Sequence, residues 1–188
     1  MKRTSLISPI LVLTFVAIML PAVVATAAMN MFVLIPGIPG ESQDVFHKDW
    51  IDAKGYSESI LNMVSGGTGG GGTTGRAEIS PIKFIKFLDK ASVGLRIAAL
   101  EGRNLSGVQI EFSAPEAPSK IIFKIEIANA QITEVSTTWA SGSPDRPQEL
   151  VAILPLTKIK WTYKFYLPNG AFAGQIQGEW DIPQNLPT

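Results

Sequence analysis

The chain has 188 residues, 46% of them hydrophobic and 17% charged, and its 16 basic side chains balance 16 acidic ones. It contains no cysteine and one histidine, which excludes disulfides, thiolate chemistry and metal sites built from several histidines. The balanced charge argues against general nucleic-acid binding, because such proteins need an excess of cations to displace the counterions of phosphate.

The first segment has the pattern of a secretory signal peptide. A basic start precedes an apolar stretch at 10–20, and Ala25 and Ala27 supply the small residues that signal peptidase recognises. We therefore expect cleavage after Ala27 and a mature domain of residues 28–188 that is secreted, periplasmic or displayed on the cell surface. The alternative is that residues 1–27 are retained as a membrane anchor, and only in that case do we expect the protein to contact a membrane.

Short apolar runs separated by turn residues predict strands at 31–35, 56–64 and 77–87. A glycine-rich loop separates the last two strands. Because it has almost no side chains to fix its shape, it is either mobile or ordered by a neighbouring molecule. The loop consists of Ser65, Gly66, Gly67, Thr68, Gly69, Gly70, Gly71, Gly72, Thr73, Thr74 and Gly75.

One short helix is predicted in the mature chain, with Ser92 as its N-cap and Gly102 just after its end. The rest of the chain has the pattern of strands. In the clearest of them, at 157–167, Ile159, Trp161, Tyr163, Phe165 and Leu167 alternate with polar residues, three of them lysines. About nine short strands with one helix predict a mainly β domain, either a sandwich or a closed barrel.

The glycine tract formally contains the nucleotide-binding pattern G-x-G-x-x-G at 67–72. A strand follows it instead of the helix whose N-terminus would hold a pyrophosphate, and Thr73 stands where a Walker loop requires lysine. We therefore interpret the tract as a hairpin loop that could dock onto a neighbouring molecule.

His47 lies in a polar segment with Asp44, Asp49 and Asp52, a set that could form an acid–base or metal cluster. No G-x-S-x-G motif supplies a nucleophile for such a site. We therefore interpret His47 as a surface histidine without a catalytic role.

Two rows of lysines could bind an anion. One lies on the polar face of the strand at 157–167, and the other consists of Lys83, Lys86 and Lys90. Rows of this kind are more often solvated outer faces, and we interpret both in that way. Four tryptophans could form a carbohydrate platform if they were exposed, but the alternation around Trp161 predicts that it is buried.

Taken in order, several segments resemble the haemolysin-coregulated protein (Hcp) family, the tube subunits of type VI secretion. They are the opening strand MFVLI at 31–35, the turn GES at 40–42, the sequence FIKFLDKAS at 84–92 before the helix, DR at 145–146 followed by ELV at 149–151, and GEWDI at 178–182. Each piece is weak alone, but their order across nearly the whole mature chain is specific.

The resemblance implies an antiparallel β-barrel with one flanking helix that assembles into homo-hexameric rings. These rings would stack into a tube through the loop Ser65–Gly75 and carry effector proteins in the lumen. The resemblance implies no catalysis and no cofactor, and the charge balance argues against a nucleic-acid partner. Family members that serve type VI machines lack a signal peptide, so residues 1–27 predict an exported Hcp-like protein. The alternative is a monomeric secreted binding module for a surface glycan or a partner protein, built on the same barrel.

Overall fold

The structure, a computed structural model, describes residues 28–65, 73–115 and 117–188. The predicted signal peptide, with Ala25 and Ala27, lies outside the described residues, as do Gly66, Gly67, Thr68, Gly69, Gly70, Gly71 and Gly72 of the glycine-rich loop. No helix within the described ranges is both long enough and apolar enough to cross a membrane.

The described ranges contain eleven strands and one helix, which confirms the mainly β class. In chain order these are β1 (Asn30–Leu34), β2 (Ile51–Ser57), β3 (Ile60–Ser65), β4 (Thr73–Ile79), β5 (Ile82–Phe87), α1 (Ala91–Leu100), β6 (Leu105–Ala114), β7 (Ala117–Thr138), β8 (Gln148–Pro155), β9 (Lys158–Tyr166), β10 (Phe172–Asp181) and β11 (Leu186–Pro187).

Six antiparallel strands close into a barrel, as predicted. The order β6–β1–β2–β5–β8 is completed by the long strand β7, which pairs with both β6 and β8. Strands β9, β10 and β11 extend the sheet from β7, and β3 with β4 forms a separate hairpin between β2 and β5. Closure removes the free edges of the six barrel strands, so that contacts between molecules must form through faces, loops and the extension.

Alternation along each strand places the apolar side chains in one core. Met31 and Val33 on β1, and Ile82 and Phe84 on β5, are buried in it.

Two predicted strand boundaries were wrong. The strand expected at 56–64 is divided between β2 and β3, and the one expected at 77–87 is divided between β4 and β5 at Ser80 and Pro81. Proline has no N–H for a ladder hydrogen bond, which explains the second break.

Helix α1 begins at Ala91, so the prediction that Ser92 is its N-cap was wrong. Asp89 takes that role in part, because its Oδ1 accepts a hydrogen bond of 2.9 Å from the Ala91 N–H. Gly102 follows the helix end with φ of +58°, and the Arg103 N–H donates to the Ala98 carbonyl. This left-handed glycine cap confirms the predicted C-terminal boundary.

The alternation predicted for β9 is present, but only the first half of its apolar face reaches the core. Ile159 is fully buried and Trp161 packs against the core, whereas Tyr163 and Phe165 are exposed. The reason is that β9 pairs with β7 no further than Tyr163, opposite Phe123. Beyond that point the strand has left the barrel, and its apolar face has no layer to cover it.

Candidate assembly surfaces and the buried ionic centres

The most polar part of the barrel interior is centred on Lys86. This side chain is completely buried, so its interpretation as part of a solvated basic row was wrong, although Lys83 and Lys90 are exposed as expected. Lys86 lies on β5 directly opposite Glu149 of β8. Its ammonium donates to Glu149 Oε2 at 2.8 Å and lies 2.7 Å from Asp89 Oδ1.

Further hydrogen bonds hold the same charged side chains. The ammonium also donates to the Phe87 carbonyl at 2.8 Å and to Ser92 Oγ at 3.0 Å. The Ser92 hydroxyl donates in turn to Glu149 Oε2 and accepts from the Asp89 N–H. Arg96 on α1 lies 2.6 Å from the other carboxylate oxygen, Oε1. Lys86, Asp89 and Ser92 all come from the FIKFLDKAS segment, so this motif joins the helix to the barrel through a buried charge network.

Glu149 stays ionised within this network. Burial by itself would raise its pKa, but the hydrogen bonds from Lys86, Ser92 and Arg96 outweigh the desolvation and lower the pKa below its ordinary value. Its carboxylate is completely buried, and both oxygens face cations or a hydroxyl. The arrangement therefore fits a structural role, in which Glu149 links β8 to β5 and α1, better than proton transfer to a bound substrate.

This lowered pKa predicts a specific loss of stability in acid. As the pH falls below about 4.3, the unfolded chain takes up a proton on Glu149 while the folded chain does not, so the free energy of unfolding decreases until the pH passes the folded pKa. Urea unfolding between about pH 6 and pH 3 should show this decline, and Glu149→Gln should show a shallower one. If the free energy of unfolding falls equally steeply with decreasing pH in the two proteins, the prediction is wrong.

His47 forms a second buried polar centre, and its interpretation as a surface histidine was wrong. The segment 40–50 folds back onto the barrel, where the imidazole stacks on Phe32 with ring centroids 4.0 Å apart and planes 5° from parallel. Nδ1 lies 2.7 Å from Asp44 Oδ1, and Nε2 lies 3.0 Å from Glu111 Oε2 on β6. Both contacts are hydrogen bonds only when the ring carries two protons, since carboxylates cannot donate.

Three charged side chains lie around His47, two directly against its ring and one beyond Glu111. Lys124 on β7 lies 3.3 Å from Glu111 Oε1, so that Glu111 bridges two cationic groups when the ring is protonated. Burial would raise the pKa of Asp44, but hydrogen bonds from the His47 ring and from the backbone N–H groups of Phe46 and His47 lower it overall. Of the three aspartates singled out near His47, Asp44 is bonded to its ring, whereas Asp49 and Asp52 are exposed. Among the described residues, no group of three or more acidic or histidine side chains could hold a metal ion.

The predicted assembly loop is partly a paired hairpin. Ser65 pairs with Thr73, and Val64 with Thr74, which shortens the unpaired part expected from Ser65 to Gly75. The base of this hairpin is tied to the C-terminal segment. Arg76 donates to the carbonyls of Ile182 and Pro183 at 2.7 and 3.1 Å, and Asn185 Oδ1 accepts from the Ala77 N–H.

Exposed apolar side chains form separate patches on the described surface. Tyr163, Phe165 and Ile176 lie on the β9–β10 extension, Val45 and Phe46 lie on the loop that contains His47, and Leu100 lies at the end of α1. The sequence predicted a buried face for β9 and did not single out the other two. Single exposed apolar side chains such as Leu100 are common on protein surfaces, whereas several lying together, as on the β9–β10 extension, are more typical of contact surfaces.

Known proteins are similar to this chain in both sequence and fold. The family model described as type VI secretion system effector, Hcp, matches residues 32–163. The protein Hcp1 of Pseudomonas aeruginosa is 26% identical over 160 residues, which cover 85% of this chain and 98% of the relative.

Solved structures agree with this comparison. A type six secretion system protein of 26% identity superposes with a TM-score of 0.79, covering 86% of this chain and all of the other. A type VI secretion system effector from Yersinia pestis, also 26% identical, gives a TM-score of 0.62 over 80% of this chain and 98% of the other. Hcp1 from Salmonella typhimurium, at 21% identity and a TM-score of 0.70 over 86% of this chain and 99% of its own, shares the fold. The chain therefore belongs to the Hcp family of type VI secretion tube and effector proteins, whose members are structural and not enzymes.

Proposed function

We propose that this chain is exported and self-assembles into homo-hexameric rings, which stack into a tube able to carry effector proteins in its lumen. The observation that carries the proposal is the extent of the family match, which spans the barrel from β1 into β9 and includes the hairpin of β3 and β4. The match therefore supports a subunit built on the same barrel and hairpin as other members of the family.

The loop at Ser65–Gly75 is the proposed contact between stacked rings. Its stem is an antiparallel hairpin with one irregularity between Asn62 and Val64, and Arg76 and Asn185 tie it to the C-terminal segment. A glycine-rich tip on such a stem can adopt a backbone conformation supplied by the adjacent ring, because glycine accepts conformations that other residues avoid.

Export rests on the pattern of residues 1–27, with Ala25 and Ala27 at the proposed cleavage site. Mass spectrometry of the protein recovered from the periplasm or medium should find a chain that begins at Ala28. Recovery from the membrane with Met1 retained would instead establish an anchor.

Assembly is tested by expressing the chain from Met1 in a bacterial host and measuring the purified product by light scattering. We expect a mass of about six subunits, and negative-stain microscopy should show rings or stacked tubes. Replacing Gly66–Gly72 by a two-residue turn should prevent stacking while leaving single rings. A monomer at high protein concentration would overturn the proposal.

A monomeric binding module is the second candidate. The observation that favours it is Trp139, which is exposed beside a polar cleft lined by Ser143, Asp145 and Arg146. An exposed indole next to hydrogen-bonding side chains is a common way to bind a sugar ring. A monomeric product that binds on a glycan array, and loses binding in Trp139→Ala, would favour this function over assembly.

A further inference from the structure

The residues that would begin the mature chain line a cleft on the outside of the barrel. This cleft, here called the N-terminal cleft, has a volume of about 430 Å³, and its walls include Ala28, Met29, Asp44, Asp52 and Lys54. We infer that the α-ammonium created at Ala28 by signal-peptide cleavage forms an ion pair with Asp52 in this cleft. The inference rests on the proposed cleavage after Ala27 and names the site that the new terminus occupies.

The register of the sheet places Asp52 beside the start of the chain. In the β1–β2 ladder Asp52 lies directly opposite Phe32, and opposite residues of an antiparallel pair have their side chains on the same face of the sheet. Phe32 stacks on His47, so this face is turned away from the core and toward the segment 40–50. Asn30, two residues before Phe32, shares the face. The strand therefore begins on the face that carries the Asp52 carboxylate.

Asp52 is the carboxylate of this cleft that is available to a new cation. It is exposed, and within the described ranges it takes part in no ion pair, unlike Asp49, whose carboxylate lies 2.8 Å from the Lys90 ammonium. Asp44, the other acid of the cleft, already accepts hydrogen bonds from the His47 ring and from two backbone N–H groups. A cation that enters the cleft therefore finds its partner on β2.

The lysine of the cleft has its charge placed elsewhere. Lys54 lies two residues after Asp52 on β2, and its ammonium is 5.9 Å from the centre of the Phe87 ring, within the range of a cation–π contact. Phe87 lines a neighbouring cleft that does not include Ala28. The carboxylates therefore dominate the field in the N-terminal cleft, and that field favours an ammonium over a neutral or an anionic group.

Cleavage changes the chemistry of Ala28 but not its place in the fold. Before cleavage, the Ala28 nitrogen belongs to a neutral peptide bond. Hydrolysis of that bond consumes one water, leaves a carboxylate on Ala27 and frees an amine on Ala28, which is mostly protonated at neutral pH. Ala28 and Met29 precede the β1 ladder, so the terminus can turn toward Asp52 without breaking a strand pairing. The precursor lacks this pair, and processing itself links the start of β1 to β2.

Amine labelling of the mature protein tests the contact. The chain is expressed from Met1, recovered from the periplasm or medium and treated at about pH 7 with a limiting amount of an acylating N-hydroxysuccinimide ester. Residues 28–47 contain no lysine, so mass spectrometry of a peptide within this range reads the α-amine alone. Only the uncharged amine reacts, and an exposed ion pair favours the charged amine by a factor of about two to five. Wild-type protein should therefore react about two to five times more slowly than Asp52→Asn.

The matched control is Asp49→Asn, which removes the same charge from a nearby acid that does not line the cleft. Asp49 has φ of +62°, a conformation that asparagine also accepts. This variant should react at the wild-type rate. Equal rates in all three proteins, or equally faster rates in both variants, would overturn the inference and leave the proposed cleavage and assembly standing.

Removal of the new charge gives a second, independent measurement. Acetylation of the α-amine should lower the urea midpoint of the mature wild-type protein but not that of Asp52→Asn, because the two changes remove the same pair. An equal shift in both proteins would count against the pair. A secreted product that does not begin at Ala28 would overturn the proposed cleavage site and this inference together.

Discussion

Replacing Glu149 by leucine should lower the free energy of unfolding by about 3 kcal/mol. The loss comes less from the missing carboxylate than from Lys86, whose ammonium would remain completely buried without its cross-strand partner. Asp89 Oδ1, 2.7 Å away, would still compensate part of the charge. Urea denaturation at neutral pH measures the effect as a shift of the unfolding midpoint.

Two further variants separate charge burial from lost packing. In Lys86→Met/Glu149→Leu no unpaired charge remains between the two strands, so this protein should recover about 1–2 kcal/mol relative to Glu149→Leu alone. Lys83→Met on the same strand removes an exposed pair, 3.9 Å from Glu134, and should change stability by less than about 0.5 kcal/mol. If the double variant is no more stable than Glu149→Leu, the unpaired ammonium of Lys86 is not the cause of the lost stability.

Part of this network could have been predicted from the sequence. On β5, the alternation that places Ile82 and Phe84 in the core also places Lys86 there, and on β8 Glu149 shares the inward face with Val151. Interpreting Lys86 as one of a row of surface lysines ignored that alternation. What the local pattern could not show is the register that pairs Lys86 with Glu149, because the two are separated by 63 positions in the chain.

His47 shows a different limit of sequence analysis. Nothing in the polar segment around it indicates burial, since its partners Phe32 and Glu111 lie on two barrel strands, and Glu111 is 64 residues away. The alternation along β9 likewise predicted the strand correctly but not the point at which the barrel ends. Whether Tyr163 and Phe165 are core or surface depends on where β9 stops pairing with β7, which is a property of the whole fold.

Replacing Gly40 by alanine should cost about 3 kcal/mol, at the upper end of the range for added atoms in a packed site. A β-carbon at this position would overlap the Trp50 carbonyl oxygen and lie 2.6 Å from Ile51 Cα. Backbone atoms at the start of β2 cannot rotate away as a side chain would, so the segment 40–50 must move instead. Gly40 opens the GES turn, and the close approach gives a physical reason for glycine at that place.

The matched control is Gly178→Ala on β10, where the same β-carbon meets no atom within 4 Å. Its free energy of unfolding should stay within about 0.5 kcal/mol of the wild-type value. If Gly40→Ala unfolds at the wild-type urea concentration, the segment 40–50 can shift at little cost, which would contradict the prediction.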